Sequence, residues 1–108
     1  MTWKIYYTKD AQQDLKNIYE HISFSLFAPG AAKKQSNRIL DAVDSLGHMP
    51  MRHRLYEKEP WHAKGLRFLP IDNYLVFYLP VKPQNTVAII RIMYRGRDIE
   101  NQLNSAQG

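Results

Sequence analysis

The chain has 108 residues, 44% hydrophobic and 12% aromatic; this is enough for one buried core, too short for two domains and too apolar for a disordered chain. Fifteen Lys and Arg against ten Asp and Glu give a net charge of +5, which suits a polyanionic or acidic partner. The absence of cysteine excludes disulfides, thiolate nucleophiles and sulfur-ligated zinc.

No run reaches the ~20 apolar residues of a membrane helix, and residues 1–10 lack the charged, apolar and cleavage regions of a leader. A soluble, cytoplasmic chain with no membrane partner is expected. The charge is uneven. Residues 1–47 carry six Lys/Arg against five Asp/Glu, and residues 48–108 carry nine against five, which assigns any cationic function to the second half.

Residues 2–8 are aromatic and β-branched with partial alternation, and predict a first strand. Thr8 then has the character of a helix cap. Ala11, Leu15, Ile18 and Ile22 follow at 4-3-4 spacing, one apolar stripe of an amphipathic helix that ends near Leu26 or Phe27. Pro29 and Gly30 break the chain. A second helix places Ala32, Ile39, Val43 and Leu46 on one face, and Gly47 and Pro50 stop it. Two such helices form a hairpin whose stripes need a common surface.

Residues 66–71, 74–79 and 86–94 are dense in Val, Ile, Leu, Phe and Tyr and predict three consecutive antiparallel strands. Asp72 and Asn73 suit a two-residue hairpin turn, and residues 83–85 the next turn. Pro70 has no N–H to give a ladder, so its strand is an edge at that point or carries a bulge. No repeat or linker interrupts the chain, and residues 104–108 read as a frayed tail.

Two stretches carry the residues fit for chemistry. In residues 48–67, His48, His53 and His62 mix with Arg52, Arg54, Lys58, Lys64 and Arg67 and with the rings of Tyr56 and Trp61. Cations beside stacking rings suit phosphates and unstacked bases, whereas a solvated loop pinned by its aromatics is the plainer reading. The histidine spacing fits no metal site. In residues 91–98, strict alternation puts Arg91, Met93 and Arg95 on one face and Ile90, Ile92 and Tyr94 on the other. With Ile90 and Ile92 on the helices, Arg91 and Arg95 would join Val87 and Ile89 on an open, partly cationic face. Arg97 and Asp98 suit either a local ion pair or the cap of a helix over 99–103. No phosphate-cradling glycine loop, nucleophilic serine motif or paired carboxylates occur. RNA cleavage by His, Arg, Lys and Tyr side chains stays open.

The order strand, helical hairpin, three strands resembles the RelE/ParE superfamily of type II toxin-antitoxin toxins over nearly the whole chain. The resemblance rests on Tyr7, Ala11, Asp14-Leu15, Ile18 and Ile22 in the first strand and helix. It continues in Gly65-Leu66-Arg67 and Asn73-Tyr74-Leu75-Val76-Phe77-Tyr78, and in Val87, Ile89-Ile90-Arg91-Ile92-Met93-Tyr94 and Gly96-Arg97-Asp98. It implies one α+β domain over residues 1–108, β-α-α-β-β-β, with an antiparallel sheet packed on the N-terminal hairpin and its other face offered to a target.

It also implies a growth-arresting toxin with no cofactor and no metal, neutralised by a cognate antitoxin. Members that cut mRNA on the ribosome typically carry an arginine after the central tyrosine, where this chain has Leu75. The run Val76-Phe77-Tyr78 looks more like the ParE branch, which poisons DNA gyrase. On that reading Arg67, Arg91, Tyr94, Arg95 and Arg97 contact the target. On the alternative, ribosome-dependent reading, His48, His53 or His62 and Tyr94 are the proton carriers, and Arg67, Arg95 and Arg97 clamp the scissile phosphate. A third reading is an inactive RNA-binding module.

Overall fold

The computed structural model describes residues 2–96 and 98–105. Strand β1 (Lys4–Tyr7) leads into helix α1 (Lys9–Glu20), continued by a π-helical turn (His21–Ser25), and helix α2 (Pro29–Asp44) runs back. Thr8 caps α1 as expected: its hydroxyl accepts from the Ala11 N–H at 3.2 Å and donates to the Ile89 carbonyl at 2.7 Å. Pro29 occupies the first turn of α2, where its missing N–H costs nothing. Ala32, Ile39 and Val43 are buried along α2, with Leu46 just beyond it.

After two 3-10 turns the chain forms a short strand β2 (Arg54–Leu55) and a one-turn helix α3 (Trp61–Lys64), both within the stretch expected to be loop. Strands β3 (Arg67–Ile71), β4 (Tyr74–Val81) and β5 (Thr86–Tyr94) follow, then helix α4 (Ile99–Asn104). Ile71 pairs with Tyr74 across the Asp72-Asn73 turn, Asp72 adopting a left-handed φ of 54°. β2 pairs with β3 only at Phe68 and Arg67, so Pro70 does lie on an open edge. Asn104 closes α4, and residues 106–108 of the expected tail lie outside the described residues.

The sheet order is β1-β5-β4-β3-β2. The α+β architecture is the expected one, and the three late strands are consecutive and antiparallel. β1 departs from the antiparallel expectation: it joins β5 in parallel, Lys4 opposite Thr86 through Tyr7 opposite Ile89. A parallel pair needs a long crossover, and everything between these two strands supplies it.

Both faces of the sheet are covered. On one, Tyr74, Val76, Tyr78, Val87, Ile89 and Ile92 pack under α1 and α2 through Ala11, Ile39 and Val43. On the other, Leu75, Phe77, Ile90 and Met93 pack with Trp61, Leu66 and Leu103 from the α3 segment and α4. The second face is therefore not the open, target-facing surface expected from the sequence.

The facing of β5 also differs from strict alternation. Phe77 pairs with Arg91 while Tyr78 pairs with Ile89, so Ile90 is an extra residue, a β-bulge. The bulge shifts the phase by one, so the row under the helices reads 87, 89, 92, 94. Val87 and Ile89 are buried there, and Ile90 turns to the second face.

Candidate functional site

β1 spans only residues 86–89 of β5, which leaves the edge of β5 beyond Ile89 unpaired by strand. α1 covers it with a side chain. Asp14, one of two residues buried along α1, accepts the Ile92 N–H at 2.9 Å and takes Arg91 in a two-pronged ion pair at 2.6 and 2.9 Å. Arg91 also donates to the Gln102 carbonyl of α4 at 3.0 Å and to the Gln102 Oε1 at 3.1 Å. The hydrogen bond to Asp14 raises the pKa of Arg91 further. The expectation of an outward Arg91 for target contact is thus corrected: the edge-capping carboxylate of Asp14 and the Gln102 carbonyl of α4 make it an internal tie.

Arg67 is also engaged, donating to the His53 carbonyl at 2.6 Å. Arg67 pairs with Tyr78 and Tyr94 with Tyr74, so the two lie at opposite ends of the β4 segment that joins them, about 13 Å apart along the strand. They do not form one site.

The histidines separate as well. His53 stands edge-on to Tyr78, 6.2 Å between centroids, on the helix side of the sheet. Its Nε2 is buried with no partner, and burial, then the nearby charges of Arg52 and Arg67, lower its pKa. His62 sits on α3, whose Trp61 packs against the opposite face, with Nδ1 3.6 Å from Glu59. His48 is exposed, and its carbonyl accepts a hydrogen bond from Arg52. The rings of the loop belong to the core: Trp61 is buried with its indole N–H on Asn104 at 3.2 Å, and Tyr56 packs edge-on to Phe77 at 5.6 Å. The aromatics anchor this basic loop to the core, while Arg52, Arg54, Lys58 and Lys64 stay exposed.

Tyr94 and Arg95 are different. Tyr94 is half-exposed at the end of β5, its ring edge-on to Tyr74 at 5.7 Å. Arg95 is exposed in the turn that follows, its N–H on the Asn73 carbonyl at 2.7 Å. Gly96 bends this turn with a φ of 107°, a conformation costly for any other residue. Arg97 lies outside the described residues.

Tyr94 borders a cleft of ≈ 890 Å³ between the helical hairpin and the end of the β4-β5 pair. Its walls include Asn17, His21, Asn73, Tyr74 and Gln102. His21, the one histidine outside the basic loop, is the one that lines the cleft. Sequence reasoning passed over these residues as a site because stretches far apart in the chain contribute them. Asp14 did leave a trace: it falls three residues after Ala11 and four before Ile18, on the buried stripe.

Beside the cleft, the tip of the hairpin exposes Phe24, Leu26 and Phe27, the last 88% accessible and held at a left-handed φ of 53°. Large apolar groups in solvent on a strained turn mark a contact surface. The motif Phe24-Ser25-Leu26-Phe27 before Pro29 is its sequence signal.

Residues 5–99 match the family described as the ParE toxin of the type II toxin-antitoxin system, parDE. The chain belongs to the ParE toxin family. It is thus a type II toxin of the RelE/ParE superfamily. No curated protein matches this ParE-family chain. Among solved structures it is similar to the chromosomal ParDE toxin-antitoxin system from P. aeruginosa, with a TM-score of 0.71 and 25% identity, covering 87% of this chain and 97% of that one. The RelBE2 complex from Mycobacterium tuberculosis shares the fold at a TM-score of 0.64 and 18% identity, covering 88% of this chain and 93% of the other. So does the archaeal RelE-RelB complex from Pyrococcus horikoshii OT3, at 0.54 and 18%, covering 90% and 99%. Among the described residues no helix is long and apolar enough to cross a membrane, and no cluster of His, Asp and Glu could hold a metal ion.

Proposed function

We propose that this toxin arrests growth by binding DNA gyrase, without covalent chemistry of its own. The carrying observation is what became of the cations a nuclease would need. The central-strand position after Tyr74 is Leu75, buried beneath the α3 segment and α4. Arg91 is neutralised by Asp14, and Arg67 holds the His53 carbonyl. Of these residues Arg95, beside the half-exposed Tyr94, stays in solvent, a pair suited to holding a partner.

The test is induction without antitoxin, with pulse labels for DNA and for protein synthesis over the first minutes, joined to a supercoiling assay with purified gyrase. DNA labelling falls first and supercoiling is inhibited. The double reversal of Arg95 and Arg97 to Glu abolishes both effects while leaving the fold intact. A toxin that keeps full activity with both charges reversed would falsify this assignment.

One observation favours a second reading, a ribosome-dependent endoribonuclease: His21 and Tyr94 line the same cleft, and each can carry a proton. An early fall in protein labelling selects it, and Tyr94→Phe then keeps ribosome binding while losing cleavage. Absence of growth arrest from folded protein selects the inactive RNA-binding module.

The cognate antitoxin is the second partner of this reading. The solved relatives are toxin-antitoxin complexes, and the exposed Phe24, Leu26 and Phe27, with Lys33 and Lys34 following in α2, offer apolar anchors beside positive charge. An amphipathic segment with acidic residues fits that surface.

A further inference from the structure

The turn between β3 and β4 is held from outside by a helix. Only Asp72 and Asn73 lie between the paired Ile71 and Tyr74, and Asp72, at its left-handed φ of 54°, gives its carboxylate to α2. There Arg38 holds it in a two-pronged ion pair at 2.8 and 2.9 Å, and Gln35, three residues earlier on the same helix face, donates to it at 2.9 Å. In so short a turn, fixing Asp72 also orients the carbonyl of the residue that follows.

That carbonyl is where Arg95 attaches. Asn73 accepts the Arg95 N–H at 2.7 Å, and Tyr74, one residue on, pairs with Tyr94 and props its ring edge-on at 5.7 Å. The outer edge of β5 gives less support at this end: β1 reaches only to Ile89 and Asp14 to the Ile92 N–H. The last residues of the strand rest on β4 and its turn.

Stability alone does not account for the arrangement. The side chains of Arg38 and Asp72 are 57% and 29% exposed, and an ion pair so open to solvent adds little to the folding of the whole chain. Three hydrogen bonds converging on one carboxylate do restrict the turn, and with it the two residues the turn carries. A partner that meets Tyr94 and Arg95 already in place loses less conformational freedom on binding.

We propose that Arg38 and Asp72 form a positioning clamp for target binding: from α2 they fix the β3-β4 turn, and through Asn73 and Tyr74 the turn aims Tyr94 and Arg95. Neither clamp residue touches the target. The inference rests on the reading of Tyr94 with Arg95 as the target-holding pair.

Two variants of the full chain test it. Arg38→Gln leaves the sequence of the turn intact, and Asp72→Gly keeps the left-handed φ without strain. Amide hydrogen exchange by NMR reads the clamp with no target present: in both variants the Arg95 N–H exchanges about five-fold faster or more, while that of the buried Val76 in β4 stays within about two-fold of the parent. The concentration for half-inhibition of gyrase supercoiling rises about three- to ten-fold in both, and growth arrest on induction weakens alike. The common direction is decisive. If Arg38 touched the target itself, Asp72→Gly would free its guanidinium and strengthen inhibition while Arg38→Gln weakened it, and that opposite pattern overturns the clamp. So does parental exchange at Arg95 in both variants, or faster exchange with parental growth arrest. Glu57→Gln opens the still more exposed pair with Arg54 and should move none of these readouts; a shift there as large as that of Arg38→Gln shows a general charge effect and also overturns the clamp. Failure of the gyrase reading shows separately, as a parent chain that arrests growth yet leaves supercoiling untouched, and the exchange and growth-arrest comparisons then decide on the clamp.

Discussion

Arg91 and Asp14, 77 positions apart in sequence, form a two-pronged ion pair whose side chains are 13% and 11% exposed. Asp14 also caps the Ile92 N–H, and Arg91 also holds the Gln102 carbonyl. The pair therefore ties α1, β5 and α4 together at the end of the first strand pair. Removing one partner leaves a buried charge without its counterpart, at a cost of about 3–5 kcal/mol. Arg91→Leu and Asp14→Leu are each expected to lose stability on this scale in urea unfolding, and the double variant to lose less than the sum. Toxicity should fall only in proportion to the folded fraction.

Tyr78, fully buried, donates its hydroxyl to the Pro50 carbonyl at 2.6 Å, and burial pushes its pKa up to about 12. Tyr78→Phe orphans that carbonyl and should cost about 1–2 kcal/mol. The neutral phenol is the form that fits, so its stabilising share is complete below pH 10, the ordinary value, and fades as pH rises toward 12. Unfolding midpoints measured from pH 8 to 11.5 should fall less steeply in the variant than in the parent, whose Tyr7 and Tyr78 both titrate late.

At the acid end, the Arg38 guanidinium, with a further hydrogen bond from Gln35, holds the Asp72 carboxyl down at about 2 against an ordinary 3.8. A lowered carboxyl stabilises fully above its unfolded value and loses that share as pH falls from about 4 to about 2. Thermal midpoints of Asp72→Asn should be slightly lower at neutral pH and flatter across that window. Because the pair is exposed, 0.5 M salt should narrow the gap between the two proteins.

Phe24 and Phe27 contribute little to the core, so Phe24→Ser should leave stability within about 0.5 kcal/mol. Phe27→Gly should match or exceed the parent, since glycine takes a left-handed φ at no steric cost. Antitoxin affinity, read by calorimetry on folded proteins, should fall about ten-fold or more in each. Unchanged affinity in both would remove the hairpin tip from the antitoxin contact.

Strands β3, β4 and β5 and both long helices were legible because each spans several turns or residues of one period. β2 and α3 were not, since a two-residue strand and a one-turn helix leave no periodicity to read. The facing of β5 was misread for another reason. Alternation is a local rule, and the bulge at Ile90 is set by pairing with β4 and by Thr8 and Asp14, more than 70 positions away. The same remoteness hid the site. Tyr94 and Arg95 were visible as a ring and a cation at a strand end, whereas Asn17, His21 and Gln102 acquire meaning only when the chain brings them to that strand end.

The bulge makes β5 two half-strands of opposite phase spliced at one residue. Substitutions along it change one contact at a time, and deletion of Ile90 would restore plain alternation with every other side chain on its own face, whereas deletion of Ala88 from the regular part would exchange inside and outside on one side of the gap. That strand should therefore accept loss of the bulge residue more readily than loss of a residue from its regular part. The register of its regular part, more than any single side chain on it, is what keeps Arg91 at Asp14 and Tyr94 at the border of the cleft.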